Sequence, residues 1–146
     1  MTAPVVYAYR QGRLFRMTGN TMNRYLQQRL AELLAPYDTA TLATCGDAGP
    51  QVSSVPYRTA GESLYLLVPH GSDHLFNLEA QPEVALLTPA WKLHGKGRTS
   101  RQSLTVPAHS WRVVVQVEPS RIHVLTADGD GYIETIDFES SEGDSQ

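Results

Sequence analysis

Residues 39–58 read TATLATCGDAGPQVSSVPYR, and the reading of this stretch decides the fold. Thr39–Cys45 is rich in β-branched residues and predicts a strand. Gly46-Asp47-Ala48-Gly49-Pro50 predicts a turn, since glycine supplies positive φ and proline cannot enter a central ladder. Gln51–Arg58 is then a second strand running back along the first. Strands joined by so short a turn pair antiparallel.

The same period continues downstream. Ala60-Gly61-Glu62 turns the chain into a strand over Ser63–Val68, which ends at Pro69. Ser72–Ala80 predicts a short helix, with Ser72 as its cap, Leu75 and Leu78 facing inward, and Pro82 beyond it. Val84–Thr88, Lys92–Arg98 and Trp111–Val117 give strands four to six. Pro119-Ser120 predicts a turn before a further short strand, Ile122–Thr126, and Thr99–Ser110 is a longer loop. Upstream, Met22, Leu26, Leu30, Leu33 and Leu34 recur at helical spacing, Asn20 or Thr21 can cap the first turn, and Pro36 stops the helix. Val5–Tyr9 and Leu14–Met17 flank Gln11-Gly12 as a short hairpin or an irregular arm. Six or so short antiparallel strands hide their edges best by closing into a barrel. The expected division is an arm over 1–19, a barrel domain over 20–138 and an acidic, disordered tail over 139–146.

Composition bounds the function. A chain of 146 residues with 41% apolar and 18% charged residues is one globular domain. A net charge of -3 gives no basic face for a nucleic acid; only Lys92–Arg101 is locally basic. Cys45 is the single cysteine, so it forms no intrachain disulfide and reads as a small buried residue in a reducing compartment. No apolar run approaches a membrane span and residues 1–17 lack a signal-peptide core, so a cytoplasmic location without membrane contact is expected. The five histidines lack paired ligand spacing, so no metal site is expected. Trp91 and Trp111 read as core or interface packing.

Several pieces occur in a recognisable order: Leu34-Ala35-Pro36, Thr41-Leu42-Ala43-Thr44, the turn Asp47-Ala48-Gly49-Pro50, the strand Gln51–Tyr57, Ser63-Leu64-Tyr65-Leu66, Gly71–Leu78, and Gln81-Pro82-Glu83-Val84-Ala85-Leu86. In this order and spacing the chain resembles the pyridoxamine 5′-phosphate oxidase-like FMN-binding split-barrel family. The resemblance implies a mainly β fold, an antiparallel six-stranded split β-barrel with flanking helices. It also implies a homodimer with FMN in a cleft between subunits, as in a flavin-dependent oxidoreductase of a small molecule. Carried over by position, the cofactor would meet Ser53, Ser54, Val55, Pro56, Tyr57 and Arg58 on the strand and Ser72, Asp73 and His74 at the helix start. Backbone N–H groups near Val55 to Tyr57 would face the flavin ring, and a helix N-terminus suits its phosphate.

The chain departs from the family pattern at the phosphate. The family's lysine at the helix start is His74 here, a basic or neutral residue before it is Asp73, and an arginine often found on the strand is Ser53. The family's arginine-bearing C-terminal substrate motif has no counterpart, so the resemblance does not extend to pyridoxamine-phosphate oxidation. Three alternatives stay open: a deazaflavin-dependent reductase using Lys92, Lys96, Arg98 and Arg101, a haem-binding protein with one axial histidine, and a non-catalytic binding or sensing module. No side chain is assigned as catalytic. Apolar surface around Val113, Val115 and Val117 or on the helix is expected to be covered by a two-fold interface.

Overall fold

The computed structural model describes residues 5–10, 13–60, 63–100 and 112–139. In chain order the elements are β1 (Val5–Arg10), β2 (Arg13–Thr18), α1 (Gly19–Leu34), β3 (Thr39–Thr44), β4 (Gln51–Ala60), β5 (Ser63–Pro69), α2 (Asp73–Ala80), β6 (Glu83–Leu87), β7 (Trp91–Thr99), β8 (Arg112–Leu125) and β9 (Tyr132–Glu139). Trp111, Arg101, His109 and the tail over 140–146 lie outside the described residues.

Six strands close on themselves. β3 pairs with β4, β4 with β5, β5 with β8, β8 with β7, β7 with β6 and β6 with β3, every pair antiparallel. β9, β1 and β2 extend the sheet from β8 as a flange, and the N-terminal segment forms a hairpin within it. The turn between β3 and β4 falls where the sequence places it, with Gly49 at φ 79.

The turn expected at Pro119-Ser120 is not there. β8 runs unbroken through it, pairing with β5 over Leu64–Pro69, then with β9 from Arg121 onward, and with β7 along both halves. Pro119 lies opposite Gly95, where the register shifts between His94 and Gly95. A Cβ on Gly95 would lie 2.5 Å from the Glu118 carbonyl oxygen, so only glycine lets the strands approach there. A bulge is one of the few places where a sheet tolerates proline, and it bends the strand without ending it.

The barrel interior is filled by alternating residues, among them Leu42, Leu66, Leu86, Leu93, Val115, Val117 and Ile122, each fully buried. Val115 and Val117 therefore belong to the core and offer no surface to a second subunit, against expectation. They point inward because their strand alternates between faces, with Gln116 and Glu118 on the other side. Cys45 is exposed rather than buried, since it sits past the end of β3 at the turn.

α1 closes one end of the barrel. Leu30, Leu33 and Leu34 are buried against it, and Trp91 Nε1 donates to the Leu33 carbonyl at 2.9 Å. Tyr57 donates its hydroxyl to the Leu34 carbonyl, and its ring meets Trp91 edge-on at 6.1 Å. The first bond satisfies a carbonyl that the last helical turn leaves without an intrahelical partner, and the Leu34 carbonyl also accepts from the Tyr37 N–H at 3.3 Å. Arg29 reaches from α1 to Glu134 of β9 at 2.7 Å, which pairs the buried Glu134 carboxylate. No helix among the described residues is long and apolar enough to cross a membrane.

Candidate functional site

β4 is paired along only part of its second edge. Its ladder with β5 runs from Tyr57↔Leu66 to Ala60↔Ser63, whereas its ladder with β3 runs from Gln51 to Pro56. The Tyr57 N–H donates to the Asp38 carbonyl at 2.9 Å. Bonding direction alternates along an antiparallel strand, so Val55, Ser53 and Gln51 also turn their backbone groups toward β3. Val52, Ser54 and Pro56 then turn theirs toward the split, where no described strand meets them. Proline, which lacks an N–H, is suited to such an edge. The donors available to a ligand are thus Val52 and Ser54 N–H. The N–H groups of Val55 and Tyr57, expected to face a flavin ring, face β3, and Pro56 has none.

α2 sits at the mouth of this split. Ser72 caps it, accepting from His74 N–H at 3.2 Å. His74 and Asn77 project from α2 toward the end of β3 and the turn that follows, and both are buried. Asn77 Nδ2 donates to Thr44 Oγ1 at 3.1 Å and to the Gly49 carbonyl at 2.8 Å, while its Oδ1 accepts from Ala48 N–H at 2.8 Å. His74 Nδ1 lies 2.8 Å from Thr44 Oγ1, and Nε2 lies 2.8 Å from Ser53 Oγ.

One assignment of hydrogens satisfies every group in this chain. Thr44 Oγ1 already accepts from Asn77, and its own proton needs an acceptor, which Nδ1 supplies. Nε2 then carries the ring proton and donates to Ser53 Oγ. The sequence of donors is Asn77, Thr44, His74, Ser53, and it leaves the exposed Ser53 hydroxyl with a proton to give. Burial pushes the His74 pKa below the ordinary value, with Asp73 partly offsetting it, so the ring is neutral at neutral pH.

The candidate residues thus divide. Ser53, Ser72, Asp73 and His74 gather around the start of α2. Ser53 and Ser54 point to opposite faces of β4 beside the open edge, and Asp73 is exposed. Val55 and Tyr57 belong to the core, and burial, with Asp38 and Tyr37 adding to it, pushes the Tyr57 phenol up to about 12. Arg58 is five residues from Ser53, about 17 Å along an extended strand. It donates to the Tyr57 carbonyl at 2.8 Å and lines a separate cleft of about 310 Å³ with Leu34, Tyr37, Asp38 and Thr59. Sequence reading missed Thr44 and Asn77. Asn77 stood inside the quoted Gly71–Leu78 pattern, but its partners are about thirty residues away along the chain.

This arrangement binds by hydrogen bonds rather than by charge. Both His74 ring nitrogens are engaged, so it does not extend toward a ligand as a lysine there would. A phosphate at the mouth would meet the Ser53 and Ser72 hydroxyls and the positive end of α2. The donor set fits an anion of modest affinity.

Protonating His74 would remove the acceptor for Thr44 and break the chain. The folded pKa lies below the unfolded one, so the unfolded state takes up the proton first. The contribution is constant above about pH 6.5 and is lost as pH falls below it toward the folded pKa. The melting temperature of the wild type is expected to drop more between about pH 7.5 and pH 5.5 than that of His74→Gln. Equal drops would place the acid sensitivity elsewhere.

Neither a protein-family model nor a curated protein matches the sequence. Solved structures do match in shape. A protein from Clostridium acetobutylicum related to general stress protein 26, of the pyridoxinephosphate oxidase family, superposes with TM-score 0.59 at 12% identity, covering 82% of this chain and 97% of that one. General stress protein 26 of Bacillus anthracis gives 0.56 at 15%, covering 68% and 93%. The heme storage protein HutZ of Vibrio cholerae gives 0.52 at 17%, covering 68% and 94%. Identities this low speak to architecture and not to chemistry. With its closed six-stranded ladder, parted β4 edge and capping α2, the chain has the split-barrel fold of the pyridoxamine 5′-phosphate oxidase-like proteins.

Proposed function

We propose that the chain holds a phosphorylated flavin, FMN, along the open edge of β4 and serves as a flavin-dependent oxidoreductase of a small molecule. The observation that carries this reading is the Ser53 hydroxyl, fixed by a buried neutral histidine beside an unpaired strand edge at a helix N-terminus. Ser53 and Ser72 bind the phosphate, and the Ser54 N–H and Pro56 carbonyl orient the ring. When bound, the flavin supplies the electron or hydride transfer. His74 is committed to Thr44 and Ser53, so it positions the serine and does not exchange a proton with substrate. Because the anchors are neutral, affinity should change little with salt.

A second copy of the chain is the proposed cover for the outer face of β4, β3 and β6. Val52↔Ala43↔Ala85 and Ser54↔Thr41↔Leu87 form two rows across it. Val52 is 68% exposed and Leu87 46%, and small side chains between them keep the face flat.

The test is an absorption spectrum of the purified protein before and after FMN is added and the excess removed by gel filtration. A retained flavin band at one per chain supports the reading. A haem band in the purified protein, or FMN lost while a deazaflavin coenzyme is retained, would overturn it.

A further inference from the structure

We propose that the outer face of β7 and β8 at Lys92, His94, Arg121 and His123 binds a doubly charged oxyanion of the phosphate or sulfate class, more tightly as pH falls. The register places Lys92 opposite His123 and His94 opposite Arg121. Leu93 and Ile122, between them, are fully buried, so all four side chains stand together on the other face. Four cationic or protonatable groups thus form a square on adjoining strands. Like charges set directly opposite destabilise a sheet, and an anion between them reverses the sign.

The square is braced. The Tyr132 ring stacks on His123 at 4.0 Å and 14°, and its hydroxyl accepts from Lys92 Nζ at 2.9 Å. His123 Nδ1 lies 2.9 Å from Thr135 Oγ1, which leaves Nε2 to meet a ligand. His94 sets its ring edge-on to His123 at 6.3 Å. The flanking positions on β6 are Ala85 and Leu87, both neutral. The facing carboxylate is Asp137 of β9, and it is taken by Arg121. In the next row, Glu83 and Glu118 stand on either side of Lys96, and Glu118 pairs with Arg98.

The local field is positive. Burial first, then Lys92, Arg121 and His94, depress the His123 pKa against the pull of Asp137. The same field repels a metal cation. β3 and β6 lie between these strands and β4, and the four side chains are not among those placed against the flavin.

The test follows the histidine rings of the full chain by long-range ¹H–¹⁵N spectra at about pH 6, with sodium sulfate added against sodium chloride at equal ionic strength. The expected result is a saturable shift of His94 and His123 with sulfate alone, tightening as pH is lowered, with His70 unmoved. Arg121→Gln and Lys92→Gln should each weaken binding about tenfold, the worth of one charge-assisted contact. Phenyl phosphate binding like sulfate would identify a free oxyanion as the ligand. Tighter binding would identify a phosphomonoester stacking on Tyr132. Shifts shared by all histidines, shifts equal in chloride, or binding indifferent to pH would overturn the proposal.

Discussion

Trp91→Ala is expected to destabilise the protein by roughly 3–5 kcal/mol, as large aromatic truncations in packed cores do. Trp91 is the largest fully buried side chain among the described residues, and it joins three parts of the fold. Its ring packs edge-on to Tyr57 of β4, its indole N–H satisfies the Leu33 carbonyl of α1, and its backbone heads β7. Truncation leaves a cavity under α1 and a buried carbonyl without its donor. Trp91→Phe keeps much of the volume and loses only the bond, so it should cost less than half as much. Urea unfolding of the three proteins checks both values. A loss below about 1 kcal/mol for Trp91→Ala would mean that α1 does not close the barrel through this residue.

Arg29→Met should cost a similar amount, about 3–5 kcal/mol, for a different reason. The Glu134 side chain is 1% exposed and Arg29 17%, and the guanidinium places both Nε and Nη2 on one carboxylate oxygen. Removing the arginine takes the guanidinium from a buried carboxylate, whose desolvation is then less well compensated. The double variant Arg29→Met/Glu134→Leu removes both charges and should recover most of the loss, since a well-packed apolar pair replaces a buried ion pair at little cost. Chemical denaturation of the single and double variants closes the cycle. A double variant no more stable than Arg29→Met would show that the pair contributes through geometry and not through charge compensation.

How far the fold could be read in advance depended on how local its causes are. The β3–β4 hairpin, the Ser72 cap and the α1 stop at Pro36 are set by neighbours in sequence, and each falls where the residues place it. β9 was not foreseen. Ile136 and Phe138 alternate as a strand requires, but Glu134 interrupts the apolar face, and its partner Arg29 lies 105 residues away. The Pro119 bulge was hidden for a related reason. Proline and serine read as a turn until Gly95, on another strand, is known to face them.

The candidate site was legible to the same degree. The positions around the start of α2 were marked, but the role of His74 was not, because its two partners come from β3 and β4. Arg58 was placed with them by the family resemblance, carried over by position, and the extended strand carries it to the other end of β4.

The Ser53 end of the split is the proposed seat of the flavin phosphate. That placement is tested most directly by comparing the affinities of FMN and riboflavin, by fluorescence titration, in the wild type and in Ser53→Ala. Two or three neutral hydrogen bonds predict that the wild type prefers FMN by roughly a hundredfold. Ser53→Ala should narrow that preference about tenfold while leaving riboflavin affinity unchanged. Equal affinity of the wild type for FMN and riboflavin would contradict the account.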